Sequence, residues 1–225
     1  MAFVSTTLRS SAVLAVLERL RAWAEAHDQP AKQRLQESER AAGQSIYGRQ
    51  RAELYGDASL AVTAEVGELM YLLTVAAAPR QVVEFGASLG FSTIHLAAAL
   101  RDLGGGSLVT TEFDPWKAER LQENLTEAGL DDLVEVRVGD ALQSLEGFEG
   151  TVDLLFLDGW NDLYVEVLDL LEPGLADHAL VIADLSVGDP HNERYLQRVR
   201  DPAAGYVSVG IPLDAGVEVS LRSRQ

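Results

Sequence analysis

The sequence predicts an α/β fold, with a mostly parallel seven-stranded sheet, a C-terminal antiparallel hairpin and an N-terminal helical extension. From residue 81 onward, short β-branched runs alternate with longer segments of helical periodicity. The runs are almost continuously apolar, which is typical of parallel strands covered by helices on both faces. The last two runs are separated only by residues 212–216, a spacing that favours an antiparallel pair closing the sheet.

The helical extension comes first along the chain. Residues 8–23 place apolar side chains at helical spacing, and the DQP sequence at 28–30 is expected to interrupt that helix. The polar residues 32–53 are compatible with a helix, a cap over a site or a partly mobile segment, and 59–75 read as another helix. We therefore divide the chain into an extension, residues 1–60, that covers a substrate or forms a dimer contact, and a ligand-binding domain, residues 61–225.

The strands and helices of that domain follow from the same patterns. The predicted strands are residues 82–85, 108–113, 134–138, 152–157, 180–183, 206–211 and 217–221. Helices are predicted at 91–103, 115–128 and 163–171, with a short one at 141–145.

Composition excludes several classes of function. The chain has 225 residues and no cysteine, so disulfides, thiolate catalysis and cysteine–zinc sites are ruled out. Its net charge of −17 argues against a nucleic-acid partner, because such a surface repels phosphate backbones. Charged residues interrupt the N-terminal apolar stretch before it reaches the length of a membrane span, so we predict no membrane partner and a cytoplasmic location.

A glycine-rich turn follows the first strand, where residues 83–92 read VEFGASLGFS. Ligands of open α/β sheets bind at the carboxyl ends of strands, and Gly86 and Gly90 let the backbone pass close to one. The helix that follows offers free N–H groups to a carboxylate. Ser88 and Phe91 stand where a dinucleotide fingerprint needs its second and third glycines, which counts against NAD and FAD.

Acidic residues end the next two strands. Glu112 stands where an acid accepts hydrogen bonds from both ribose hydroxyls, and we favour that role over an exposed helix-starting acid. Asp140 is open to two interpretations, an acceptor for an adenine amino group and the N-cap of a short helix.

Two further aspartates end the fourth and fifth strands. Asp158 follows four apolar residues and Asp184 follows the run VIA, so both carboxylates are partly desolvated. On neighbouring strand ends they would either share a divalent cation such as Mg²⁺ or simply cap the loops that follow. Among the histidines, His191 alone is a plausible catalytic base, against the alternative of a solvated loop residue.

Together these residues resemble the catechol O-methyltransferase-like family, which includes caffeoyl-CoA and bacterial small-molecule O-methyltransferases. The resemblance runs from about residue 61 to the C-terminus and rests on the segments 62–67 (VTAEVG), 84–92 and 156–164 (FLDGWNDLY), with Glu112 and Asp140. It implies a Rossmann-like methyltransferase fold, S-adenosylmethionine as cofactor and a small-molecule acceptor, with a homodimer as our expectation for assembly. The predicted cofactor-binding residues are Val62, Thr63, Glu84, Gly86, Ser88, Gly90, Ser92, Glu112, Asp140, Ala141, Asp158 and Trp160.

The catalytic half of the family pattern departs at two positions. The resemblance implies a Mg²⁺ site with Asp158 and Asp184, but the third ligand should follow Asp184 directly, and that residue is Leu185. It also implies a lysine base where this chain has Asn161, which takes no proton near neutral pH. Three explanations stay open: a metal-independent enzyme, ligation by a nearby Asp189 or His191, and a protein that binds cofactor without transferring methyl.

Methyl transfer depends largely on alignment, because a sulfonium is already an activated donor. We therefore predict an active O-methyltransferase of small-molecule hydroxyls with an atypical metal site, in which Asp158 and His191 are the candidate catalytic residues. The alternative is a methyltransferase-like protein with a regulatory or scaffolding role.

Overall fold

A computed structural model describes residues 6–186 and 188–223. Within these ranges seven strands form one sheet, in the order β3-β2-β1-β4-β5-β7-β6. The strands are β1 Gln81–Phe85, β2 Ser107–Glu112, β3 Val134–Val138, β4 Val152–Leu157, β5 Leu175–Asp184, β6 Tyr206–Ile211 and β7 Val217–Arg222. All neighbours are parallel except β7, which runs antiparallel to both β5 and β6. The predicted fold class is therefore confirmed.

The helices cover the sheet in the predicted alternation. They are α1 Ser11–Ala42, α2 Gly48–Tyr55, α3 Ala64–Ala77, α4 Phe91–Asp102, α5 Pro115–Ala128, α6 Ala141–Ser144, α7 Tyr164–Leu171 and α8 His191–Arg200. Strands β1 and β4 lie between helices on both faces of the sheet, and all their residues are apolar except Gln81, Glu84 and Asp153. No helix of the described residues is both long enough and apolar enough to cross a membrane.

The order of the strands reverses beside β1. The chain moves outward from β1 to β2 and β3, then returns to place β4 on the other side of β1. Connections leave the carboxyl ends of β1 and β4 in opposite directions, which opens a crevice there. The elements that follow β1 and β4 are therefore the ones placed to form a ligand site.

The fifth strand is longer than predicted. It begins at Leu175, and its register with β4 is irregular, since Val152 pairs with Leu175 but Leu154 pairs with Leu180. The extra residues of β5 include the polar pair Asp177 and His178, which breaks the apolar pattern that the prediction relied on.

The predicted break at residues 28–30 is wrong. Helix α1 runs through Pro30 to Ala42, and Gly43 follows with a φ of +65°. Proline removes one intrahelical hydrogen bond, but α1 is anchored on both sides of it by buried Leu20 and Leu35. Tertiary packing therefore outweighs the local preference, and the polar segment 32–53 divides into the end of α1, a short connection and α2.

The third helix begins later than predicted. It starts at Ala64 rather than near residue 59, and the Thr63 side chain accepts a hydrogen bond from the N–H of Val66 at 3.4 Å. Val62 and Thr63 thus lie at the entrance to a helix N-terminus, within an extended connection.

The extension is part of the folded core. Leu8, Val13, Val16 and Leu20 are buried in the same apolar cluster as residues of the sheet and of α4. This stripe is covered within the chain, so it gives no support to the predicted dimer contact at this helix. The second half of the extension packs separately, in a cluster that includes Leu35 and Tyr55.

Candidate active site

The carboxyl ends of β1 and β4 meet at very short range. The Asp158 N–H donates to the Phe85 carbonyl at 2.9 Å. A Cβ on Gly86 would lie 2.6 Å from the Cα of Gly159, and the φ of Gly86 is +95°. Only glycine fits there, so the close approach that the sequence predicted is built into the crevice.

The turn after β1 keeps its shape through further glycine geometry. Gly90 has a φ of +98°, and a Cβ there would lie 2.5 Å from Cδ1 of Leu121. Ser88 also has a positive φ, 47°. Its hydroxyl is buried and has no hydrogen-bond partner among the described residues. An orphaned hydroxyl in a tight turn fits a polar ligand that would satisfy it.

Glu112 connects the end of β2 to this turn. Its carboxylate accepts the Ser88 N–H at 2.8 Å through one oxygen and the Asp114 N–H at 2.8 Å through the other. Burial raises the pKa of Glu112, while the Asp114 hydrogen bond and the charge of Lys117 oppose the rise. A carboxylate offers about four acceptor sites, so lone pairs remain for the two hydroxyls of a ribose.

Glu84 is fully buried and its carboxylate is engaged by three hydroxyls. Ser92 donates at 2.7 Å, Thr93 at 2.6 Å and Thr110 at 2.6 Å. Burial raises the pKa of Glu84 in spite of these hydrogen bonds. Direct contact of Glu84 with a cofactor gains no support from this geometry. Its side chain holds β1, β2 and the start of α4 together instead.

Asp140 begins α6 as its N-cap. Its carboxylate accepts the Leu142 N–H at 2.9 Å, and Ala141 behind it is buried. The neighbouring Gly139 N–H donates to the Glu112 carbonyl at 2.8 Å, which fixes the ends of β2 and β3 together. Asp140 is exposed and keeps free lone pairs, so its predicted role toward adenine remains a prediction.

Trp160 lies beneath the helical extension. Its ring stacks on Tyr55 at a centroid distance of 5.4 Å, and the Arg51 guanidinium lies 4.6 Å from the ring centroid. Arg51 also pairs with Asp162 at 3.7 Å. Helix α2 therefore covers residues 160–162, and we call residues 47–55 the cap; a role of this segment over a substrate stays a prediction.

The two aspartates at the ends of β4 and β5 do not form a magnesium site of the family type. Burial and the neighbouring Asp184 and Glu84 carboxylates raise the pKa of Asp158. Burial and then Asp214 raise the pKa of Asp184 to about 7. The residue after Asp184 is Leu185, which offers no ligand, and the described residues contain no group of three or more His, Asp or Glu arranged to hold a metal.

His191 is the first residue of α8. Its N–H donates to the Asp189 carboxylate at 2.9 Å, and its Nε2 lies 3.4 Å from the Tyr47 hydroxyl. The two rings meet edge to face at 5.5 Å. His191 thus joins the loop after β5 to the segment that precedes α2.

Four residues that the sequence analysis did not single out contribute to this region. Tyr47, Arg51 and Tyr55 belong to the cap, and their contacts with residues 160–191 span more than a hundred positions of the chain. Phe113 follows Glu112 directly and is 43% exposed, an aromatic face beside the predicted ribose acceptor. The sequence did contain a signal for Phe113, because a large aromatic residue at the carboxyl end of a strand lies where a ligand would bind.

Fold and site together define a Rossmann-like methyltransferase domain. A family model described as "Methyltransferase domain" matches residues 83–184. The catechol O-methyltransferase of Niastella koreensis is 32% identical over 60% of this chain and 62% of its own length. That of Sus scrofa is 33% identical over 54% of this chain and 68% of its own. Cofactor-bound Rv0187 from MTB superposes with a TM-score of 0.65, at 29% identity over 73% of this chain and 83% of that one.

The chain therefore belongs to the catechol O-methyltransferase family. Its match spans less than two thirds of the Niastella relative's length.

Proposed function

We propose that this protein is an S-adenosylmethionine-dependent O-methyltransferase that acts on a hydroxyl of a small, phenol- or catechol-like molecule. The observation that carries the proposal is the hydrogen bond from the glycine turn to the Glu112 carboxylate, 2.8 Å from the Ser88 nitrogen. It joins the close-approach turn after β1 to the acid after β2, the two parts that a nucleoside cofactor needs at a switch point.

The cofactor residues divide by chemistry. Glu112 would accept the ribose hydroxyls, Ser88 and the N-terminus of α4 would bind the amino-acid end, and Asp140 and Trp160 would border the adenine. Bound S-adenosylmethionine supplies a methyl group on a sulfonium, which is already activated for transfer. The protein's part is therefore to hold the acceptor oxygen in line with that carbon and to exclude competing water.

The acceptor side is formed by the cap and by the ends of β4 and β5. Tyr47, which is 45% exposed, offers aromatic surface that suits a planar ring. Asp158 orients the acceptor hydroxyl. His191 would take the hydroxyl proton, or an acidic phenol would release it to solvent, and a bound S-adenosylmethionine would supply the methyl group to that oxygen.

Methyl transfer at this site does not depend on tightly bound Mg²⁺. With carboxylates only from Asp158 and Asp184, the ion would keep most of its waters and bind weakly. Leu185 packs toward Gly216, with its Cδ1 3.6 Å from where a Cβ on that glycine would stand.

A second candidate function is cofactor binding without transfer. The departures at Leu185 and Asn161 favour it, because both remove groups that the resemblance assigns to chemistry. The two candidates share the cofactor site and differ only on the acceptor side.

A methyl-transfer assay separates them. Wild-type protein is incubated with methyl-labelled S-adenosylmethionine and a panel of phenol, catechol and 3,4-dihydroxybenzoate, with and without EDTA. We expect labelled methyl ether in both conditions and a rate at least tenfold lower in Asp158→Asn. Binding of S-adenosylhomocysteine without product from any acceptor would favour the second candidate. Activity abolished by EDTA and restored by micromolar Mg²⁺ would contradict the metal-independent part, and Asp189 and His191 would then be the first replacement ligands to test.

A further inference from the structure

Asn161 is buried, with 4% of its surface exposed, and both ends of its amide are used. Its Oδ1 accepts the Ser186 hydroxyl at 2.8 Å, and its Nδ2 donates to the Oδ1 of Asn192 at 3.0 Å. Asn192 closes the ring by donating from Nδ2 to the Ser186 carbonyl at 2.6 Å. We call Asn161, Ser186 and Asn192 the amide clasp.

The clasp joins three elements that border the acceptor side. Asn161 lies in the turn after β4, three residues beyond Asp158, while Ser186 lies two residues beyond the end of β5. Asn192 is in the first turn of α8 and follows His191 directly. Two more bonds hold the same loop: the Tyr164 hydroxyl donates to the Asp184 carbonyl at 2.7 Å, and the Leu185 N–H to the Gly216 carbonyl at 2.9 Å.

The residue type at position 161 matters because the clasp needs a donor and an acceptor on one short side chain. An amide provides both and stays neutral at working pH, whereas a lysine has three donors and no acceptor. A lysine there would leave the Ser186 hydroxyl without its acceptor and would bring a buried charge toward Asn192. Asn161 therefore has a structural role of its own in this site, and it is more than a position at which a lysine base is missing.

We propose that the amide clasp is the positioning device of the acceptor half of the site, in which Asn161 fixes the loop carrying Leu185 and the start of α8 carrying His191. It rests on the proposed function, because it concerns the acceptor of that same methyl transfer. Asn161 itself exchanges no proton. It acts through the placement of the loop that carries Leu185 and through the placement of His191 against Tyr47.

The test compares Asn161→Lys, Ser186→Ala, Ser186→Thr and the α8 surface control Gln197→Ala with wild type. The acceptor is the best substrate of the phenol and catechol panel, and S-adenosylhomocysteine binding is measured by calorimetry in parallel. We expect Asn161→Lys and Ser186→Ala to lower kcat/KM for the acceptor about tenfold or more, because small misplacements in a site are costly. Ser186→Thr, which keeps the hydroxyl, should retain activity, and S-adenosylhomocysteine affinity should change less than threefold throughout.

Failure of the amide clasp and failure of the proposed function give different experimental results. Wild-type protein that transfers no methyl group contradicts the proposed function before any variant is made. The clasp is then judged by hydrogen exchange of residues 184–186 and 188–192, which should be at least tenfold faster in Asn161→Ala than in Gln197→Ala. Asn161→Lys with activity equal to or above wild type, Ser186→Thr as impaired as Ser186→Ala, or unchanged exchange in Asn161→Ala would each overturn the proposal.

Discussion

At the scale of single residues, Glu84 shows two opposing effects on one carboxyl group. Three hydroxyl donors within 2.7 Å favour its charged form, and complete burial disfavours it. Burial is the larger effect, so the pKa of Glu84 is raised in the folded protein. The hydroxyls then serve mainly to orient the group, which ties the start of α4 to β1 and β2.

The raised pKa of Glu84 gives a prediction for stability against pH. A carboxyl whose folded pKa exceeds its unfolded value binds more protons when folded, so its contribution falls as pH rises above the unfolded value of 4.5. The stability difference between wild type and Glu84→Gln should therefore shrink from pH 5 to pH 8 in urea unfolding. Glu119→Gln, at an exposed site on α5, is the control. A difference that grows with pH would show that the hydroxyls outweigh burial.

At the scale of elements, α1 belongs to the core of the domain. Leu20 is 3% exposed and lies in the main apolar cluster, whereas Leu14 on the same helix is 41% exposed. Leu20→Ala should lower the free energy of unfolding by about 2–4 kcal/mol, because it leaves a cavity among sheet-covering helices. Leu14→Ala should cost less than about 0.5 kcal/mol. Equal losses of unfolding free energy in the two variants would mean that α1 is not packed against the core as described.

A homodimer stays a prediction, which light scattering checks.

Helix α2 gives a prediction for acceptor binding. Arg51 contacts Trp160 and Asp162, and only 14% of its side chain is exposed, while Arg49 on the same helix is 83% exposed. Removing the Arg51 side chain loosens the cap over residues 160–162. We therefore expect Arg51→Ala to raise the acceptor KM several-fold, with a smaller change in kcat. Arg49→Ala should behave as wild type in the same steady-state assay, and a matching KM increase there would argue against a specific role of the cap.

At the scale of the whole molecule, the sheet could be predicted from the sequence, but the side-chain contacts of the site could not. Each strand is an apolar run followed by turn residues, which is a local signal. The number of strands, the order of the elements and the edge hairpin therefore followed from the hydrophobic pattern. Helix α1 passes through Pro30 because its residues pack against segments that are distant in sequence. A short stretch of sequence around Pro30 contains no information about that packing. The partners of Glu84 and Asn161 are likewise brought together by the sheet. The sequence identified Asp140 and Glu112 as possible functional acids because both stand at strand ends, where position alone is informative.

On our proposal, the turn after β1 and the acid after β2 form one nucleoside-cofactor site. Calorimetric titration of S-adenosylhomocysteine into wild type, Glu112→Ala and the surface control Glu119→Ala tests it directly, with thermal unfolding of each protein to verify the fold. We expect micromolar or tighter binding to wild type and to the control. Glu112→Ala should weaken binding by about 1.5–3 kcal/mol, because it removes charged acceptors for the ribose hydroxyls. Absence of binding to folded wild type, or equal affinity in all three proteins, would contradict a nucleoside-cofactor site at Glu112.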